Sequence, residues 1–187
     1  PHVAKWIAKY LREGDVFYDL GANWGIFTIQ ALEQGAVEVV AVDPIDSRSN
    51  HEQPIDGRLI RLTCPVWSHE TLLNVVLTEG SGQVETYDGD VVGTPLEYSK
   101  TLIRPSTTIT KLANNFRRPH MIKADIQGAE VEAFRGASPW SLGLCHTIIV
   151  EAEGGCLARH GATQDDLLAV IEQLGFSVVE QIDNDWL

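Results

Sequence analysis

The stretch from Val16 to Asp43 constrains the fold of this chain more than any other. An apolar run rich in β-formers, Val16-Phe17-Tyr18-Asp19-Leu20, breaks at Gly21-Ala22-Asn23-Trp24-Gly25. A helical pattern then runs from Ile26 to Gln34 and stops at Gly35, and a second β-forming run, Glu38 to Asp43, is stopped by Pro44. Strand, glycine-bearing turn, helix and strand at this spacing make a βαβ unit. Its right-handed crossover sets the two strands parallel.

The rest of the chain continues the alternation. Val3, Trp6, Ile7, Tyr10 and Leu11 share one face of a helix over 3–12, closed by Gly14-Asp15. A third strand is expected over 58–62, while 44–58 is polar, without a period, and is assigned no helix. Residues 70–110 read as a β-rich, hairpin-like insertion: Glu70 to Thr78, then Gly80-Ser81-Gly82, Val84 to Tyr87, and Gly89 to Gly93. A short helix near 109–116 follows, then a strand Met121–Asp125, a helix Ala129–Arg135 and a strand His146–Glu151. A helix Gln164–Leu174 and a strand Phe176–Ile182 end the pattern. At about 150 residues per domain, 187 residues form one domain spanning 1–187. The expected class is α/β, with a doubly wound, mostly parallel sheet.

Composition narrows the partners. Fourteen Lys and Arg against 26 Asp and Glu give a net charge of −12, a field that repels phosphate backbones and anionic lipid. Neither a nucleic-acid nor a membrane-surface role is expected. Cys64, Cys145 and Cys156 are widely spaced without a CxxC pair, so they form no disulfide framework or thiolate zinc site. No apolar run approaches the ~20 residues that span a bilayer, and no signal peptide is visible. A cytoplasmic domain is the expectation, with Pro1 in place of an initiator Met leaving the natural N-terminus open.

In an open parallel sheet, ligands bind beyond the carboxyl ends of the strands, where the strand order reverses. Asp19 to Gly25, Asp43, Thr63 to Ser68, Asp125 to Glu130 and Glu151 to Gly155 are placed there. The glycines permit a tight turn and close approach to a ligand. Their spacing is GxxxG rather than the GxGxxG of dinucleotide folds, and Asp19 precedes the loop. A pyrophosphate disfavours that carboxylate, whereas a cationic sulfonium or ammonium group prefers it. Asp43 suits a bidentate hydrogen bond to ribose hydroxyls. A nucleoside with a cationic amino-acid tail fits both, and S-adenosylmethionine fits best.

Asp19-Leu-Gly-Ala-Asn23-Trp-Gly25 and Met121-Ile-Lys123-Ala-Asp125-Ile-Gln-Gly128-Ala-Glu130, followed by Phe134-Arg-Gly136-Ala137, resemble the signature of FkbM-type methyltransferases. The resemblance covers roughly residues 15–182. It implies the seven-stranded methyltransferase fold, S-adenosylmethionine as donor, and O-methylation of a small hydroxylated acceptor such as a sugar or secondary metabolite, while the family's usual final antiparallel strand is expected to be short or trimmed here, the sequence ending at Trp186-Leu187. Asp19, Gly21, Asn23 and Gly25 match the family's donor-binding loop, and Asp43 its acidic residue after the second strand. Asp125, Gly128, Ala129 and Glu130 match its second block. Gln127 stands where the family usually has Glu, and Thr110 where it usually has Asp. Both departures leave room for a catalytically inactive, donor-binding partner domain. A nicotinamide-dependent oxidoreductase is disfavoured by GxxxG and Asp19.

Asp125 is the first candidate to bind the acceptor hydroxyl or take its proton, with helix capping as its structural alternative. Glu130 is a second, set against a first-turn acid favoured by the helix dipole. Lys123 shares the sheet face of Asp125 and demands a partner, with Glu151 or Glu130 expected and an ion pair favoured over direct catalysis. Asp125, Glu151 and Glu153 have the oxygen ligands of a divalent-cation site, although strand-end carboxylates more often meet solvent or substrate; no metal is expected. Trp24 and Trp67 are expected either to wall the cleft or to pack in the core. The six bases between Glu97 and Asp125 are expected to form a solvated face away from the cleft.

Overall fold

The computed structural model describes residues 2–46, 56–78, 84–87 and 98–187, by backbone alone at 78, 84–87 and 98–100. Strand β1 (Val16–Leu20) is buried along its whole length, so both of its faces must be covered. Its side chains alternate as a strand requires. Val16, Tyr18 and Leu20 enter one core cluster, and Phe17 enters another on the opposite face. Helices α1 (His2–Tyr10) and α2 (Ile26–Glu33) cover the Phe17 face. Helices α3 (Ile109–Asn115), α4 (Glu130–Arg135), α5 (Gly154–Arg159) and α6 (Gln164–Gln173) close the other.

Around β1 lie β2 (Glu38–Asp43), β3 (Leu59–Thr63), β7 (Met121–Ala124), β8 (Thr147–Glu151), β9 (Gln181–Ile182) and β10 (Asp185–Trp186). They form a seven-stranded sheet in the order β3-β2-β1-β7-β8-β10-β9. The first five in that order run parallel, β10 runs antiparallel to β8, and β9 pairs antiparallel with β10. This is the doubly wound α/β sheet of the methyltransferase type. The insertion between β3 and α3 is a separate antiparallel sheet of order β5-β4-β6, built from β4 (Leu72–Thr78), β5 (Val84–Tyr87) and β6 (Tyr98–Pro105). Leu73 of β4 packs with Trp67 and Ala129, which seats this sheet beside the start of α4.

Two segments depart from the sequence expectation. Helix α5 was not foreseen, because its Gly154-Gly155 start reads as loop by propensity. The strand expected over Phe176–Ile182 is reduced to the two residues of β9, although Val179 still donates its N–H to the Leu187 carbonyl at 2.8 Å. Its partner β10 is itself two residues long, so an apolar run with β propensity finds little to pair with. The stretch 47–55 and the turns at Gly80-Ser81-Gly82 and Gly89 to Gly93 lie outside the described residues.

Candidate active site

The strand order reverses beside β1, with β2 on one side and β7 on the other. The loops leaving β1 and β7 meet above that break. Gly21 and Ala22 donate their N–H groups to the Val42 carbonyl at 2.8 and 3.1 Å, tying the first loop to the end of β2. Gly21 has φ +75°, and a Cβ there would lie 1.8 Å from the Asp125 carbonyl oxygen. The two loops therefore touch at a residue that has no side chain. Asn23 is also left-handed at φ 44°. Its N–H donates to Asp43 Oδ2 at 2.9 Å, and Asp43 Oδ1 accepts from the Ile45 N–H at 3.0 Å. Asp43 thus organises the loop, and two carboxylate oxygens bonded once each retain acceptor capacity for hydroxyls. Burial raises its pKa above the ordinary range, against the pull of those two N–H groups.

A cleft of about 370 Å³ opens above this junction. Its walls are the loop from Gly21 to Trp24, Ile26 and Phe27 at the start of α2, and Lys123 and Asp125. Trp24, half exposed, and Ile26, largely exposed, stand at its mouth. A second cavity of about 400 Å³ lies along β8, α6 and the terminal hairpin, away from the strand-end carboxylates.

The polar floor of the cleft follows from register. Asp19 of β1 pairs directly with Lys123 of β7, so the two side chains emerge side by side on the α2 face. Lys123 is 4% exposed. Its Nζ donates to the Gly21 carbonyl at 2.9 Å and lies 3.5 Å from Asp19 Oδ1 and 3.6 Å from Asp125 Oδ2. The sequence expectation of Glu151 or Glu130 as its partner is corrected: cross-strand pairing places Asp19 next to it. Burial opposes the ammonium charge, but Asp19, Asp125 and Glu151 outweigh it and hold the pKa above the usual lysine value. Thr28, fully buried on α2, donates its hydroxyl to Asp19 Oδ2 at 2.6 Å. Asp19 Oδ1 is buried and accepts no hydrogen bond.

A second acidic group flanks Asp125. Gln127, at φ 58°, donates from one Nε2 to Asp125 Oδ1 at 3.0 Å and to Glu151 Oε2 at 3.2 Å. Burial raises the Asp125 pKa, yet the nearby Lys123 charge and the hydrogen bonds from Glu151 and Gln127 bring it below the ordinary value. Glu151 goes the other way, pushed to about 8 by burial and by the Asp125 charge. The Asp125 charge thus favours the protonated form of Glu151.

Other predicted residues fall elsewhere. Glu130 is 1% exposed, accepts the Ile126 N–H at 2.8 Å, and is not part of the cleft wall. Burial pushes its carboxyl to about 7. It sits in the first turn of α4 and fastens the loop that carries Asp125. Glu153, at the N-cap of α5, accepts from Cys156 Sγ at 3.1 Å, turned toward its own helix. Trp67 is buried against Leu73 and Ala129 and packs in the core. Thr110 donates to the Gly136 carbonyl at 2.9 Å and joins α3 to the end of α4, outside the cleft. Arg117 meets Glu38 at the amino end of β2, and Arg118 stacks on Trp140 with 5.1 Å from Cζ to the ring centroid. Sequence reasoning missed Thr28 and Phe27. Both lie in the first turn of α2, where an inward-facing hydroxyl near a strand-end acid was the available signal.

No curated protein matches the chain. Among solved structures it is similar to a "putative hemolysin" of Lactococcus lactis, at 15% identity and a TM-score of 0.46, over 94% of this chain and 74% of that one. It is also similar to a "putative RNA methyltransferase" of Pyrococcus horikoshii, at 15% identity and a TM-score of 0.44, over 96% and 67%. A "putative S-adenosylmethionine dependent methyltransferase" of Listeria monocytogenes gives 10% identity and a TM-score of 0.38 over 81% and 55%. None of the three bears on what this chain acts upon. The family model of the methyltransferase FkbM domain matches residues 19–178, from the acid that opens the glycine loop to the segment before the terminal hairpin. The chain belongs to the FkbM methyltransferase domain family.

Proposed function

We propose that this domain moves a methyl group from S-adenosylmethionine to a hydroxyl oxygen of a small acceptor, with a sugar or secondary metabolite as the acceptor class. The observation that carries the reading is the charge of the cleft floor. Two carboxylates, Asp19 and Asp125, flank one buried ammonium, Lys123, so the floor keeps a net negative charge beneath a glycine loop. That favours a cationic ligand over a pyrophosphate. The fit to the donor rests on three features. Asp19 adds a buried negative charge behind the cleft wall, 3.5 Å from the Lys123 ammonium. Asp43 keeps acceptor capacity for ribose hydroxyls beside Asn23. Trp24 and Phe27 offer apolar walls. When bound, the donor supplies an electrophilic methyl group on a sulfonium sulfur.

The chain's own residues would then do the following. Asp43 positions the nucleoside, and Asp19, buried behind the cleft wall and held by Thr28, acts on the cationic tail through its charge. Lys123 fastens the loop through the Gly21 carbonyl and keeps Asp125 ionised. Asp125, on the cleft wall, accepts a hydrogen bond from the acceptor hydroxyl and aligns its oxygen for in-line attack. An ionised carboxylate held below its usual pKa is a poor base for an alcohol, so its contribution is alignment and a share of the proton as the C–O bond forms. Glu130 stabilises the loop that carries Asp125. A small-molecule acceptor, with no nucleic acid or membrane partner, agrees with the net charge of −12. Among the described residues, no helix is long and apolar enough to cross a membrane.

The test is a transfer assay with methyl-¹³C-labelled donor and a panel of hydroxylated small molecules, read by carbon NMR. A methoxy signal that disappears in Asp125→Asn while S-adenosylhomocysteine still binds is the expected result. Label arriving on nitrogen, or not at all across the panel despite donor binding, refutes the oxygen acceptor. The second outcome is what a binding-only partner domain would give.

A further inference from the structure

Asp125 and Glu151 leave the ends of neighbouring strands β7 and β8, and nothing in strand geometry requires their carboxyls to be linked. One Nε2 of Gln127 is within hydrogen-bond distance of both, at 3.0 and 3.2 Å. The residue that provides this link adopts a left-handed backbone at φ 58°, a conformation unfavourable for a side chain with a Cβ. Two adjacent carboxyls need a cation, a proton or a donor between them. Here the gap is filled by an amide.

We propose that Gln127 and Glu151 are positioning residues for Asp125: the Gln127 amide joins the two carboxyls, taking the place a cation would otherwise fill, and so aims Asp125 into the cleft. This rests on the reading of Asp125 as the acceptor-facing group. The groups that face Glu151 are consistent with it. Asp125 comes from the loop after β7, Glu130 from α4 and Asp185 from β10, all acidic, with Asp185 itself bonded to His2 of α1. The cation nearby is Lys123, which is already committed to Gly21, Asp19 and Asp125. A proton on Glu151 is therefore the local means of relieving the repulsion.

The experiment uses the whole chain, ¹³C-labelled at side-chain carboxyls, titrated by NMR as wild type, Gln127→Leu and Gln127→Glu. Each protein is then titrated with Mn²⁺ alone, followed by electron paramagnetic resonance. Wild type is expected to show a Glu151 midpoint near 8 and no stoichiometric Mn²⁺ uptake. Gln127→Leu should move that midpoint upward by roughly one unit, since removing a donor from a carboxyl pair disfavours the charged form. Gln127→Glu should bind Mn²⁺, and the added Glu151→Gln change should abolish that binding. An unmoved midpoint in Gln127→Leu, stoichiometric Mn²⁺ binding by wild type, or no binding by a folded Gln127→Glu overturns the proposal. Titration of the same samples with S-adenosylhomocysteine reports separately on the donor site, so failure of one reading is distinguishable from failure of the other.

Discussion

Replacing Gly21 by Ala, compared with the same change at Gly14, separates backbone conformation from loop contact. Both glycines are left-handed, at φ +75° and +87°. A Cβ at Gly14 would meet nothing within 4 Å, whereas at Gly21 it would lie 1.8 Å from the Asp125 carbonyl oxygen and 2.8 Å from the carbonyl carbon. The conformational term is about 1–2 kcal/mol at either site. Only Gly21 adds a clash with backbone, which relaxes by separating the β1 and β7 loops, a further ~1–3 kcal/mol or more. Gly14→Ala should therefore cost about 1–2 kcal/mol and Gly21→Ala ~2–5 kcal/mol. For a chain of this size that is roughly 2–8 °C against about 4 °C or more in Tm. Urea unfolding gives the stabilities, and calorimetry gives S-adenosylhomocysteine binding at a temperature where both variants are folded. Binding should survive in Gly14→Ala and fall at least tenfold in Gly21→Ala. Equal destabilisation, or undiminished binding by Gly21→Ala, refutes the argument that this contact builds the cleft.

Other substitutions probe the floor. Thr28→Val keeps the shape and removes the 2.6 Å bond to Asp19, so it should cost about 1.5–3 kcal/mol in urea unfolding. Lys123→Met strands buried Asp19 without its cation and should cost ~3–5 kcal/mol; a neutral result would remove the lysine from the structural role given to it here. Stability should also fall as pH rises. Glu130 and Glu151 have folded pKa values near 7 and 8, above the unfolded 4.5, so the native state binds more protons across that window and loses stability from about pH 4.5 to 8. Unfolding at a series of pH values should show this fall, and Glu130→Gln should flatten it below pH 7. A stability that is level over the window contradicts the buried state of these acids.

The legible part of this protein was what local pattern encodes. Alternation and glycine spacing gave β1, α2 and β2 their places, and with them the loop from Asp19 to Gly25. Periodicity also located β7, β8 and α6. Partners that depend on register were not legible: nothing local tells that Asp19 sits opposite Lys123, so the lysine was assigned to Glu151 or Glu130. The link from Gln127 to both Asp125 and Glu151 depends on one left-handed residue, and a glutamine in sequence does not announce that conformation. Glu130 illustrates the converse. Its first-turn position was evident, but its near-complete burial was not, because burial depends on how the β4–β6 sheet and α4 close over the loop. Phe176 to Glu180 has the residues of a strand and lacks a long enough neighbour.

The central claim is that the acidic, glycine-lined cleft binds a sulfonium nucleoside. The most direct test is calorimetric titration of S-adenosylmethionine, S-adenosylhomocysteine and NAD into the wild-type chain and Asp43→Ala. Saturable one-to-one binding of the first two, absent for NAD and weakened at least tenfold by Asp43→Ala, is the predicted result. Binding of NAD alone, or donor binding indifferent to Asp43, contradicts it.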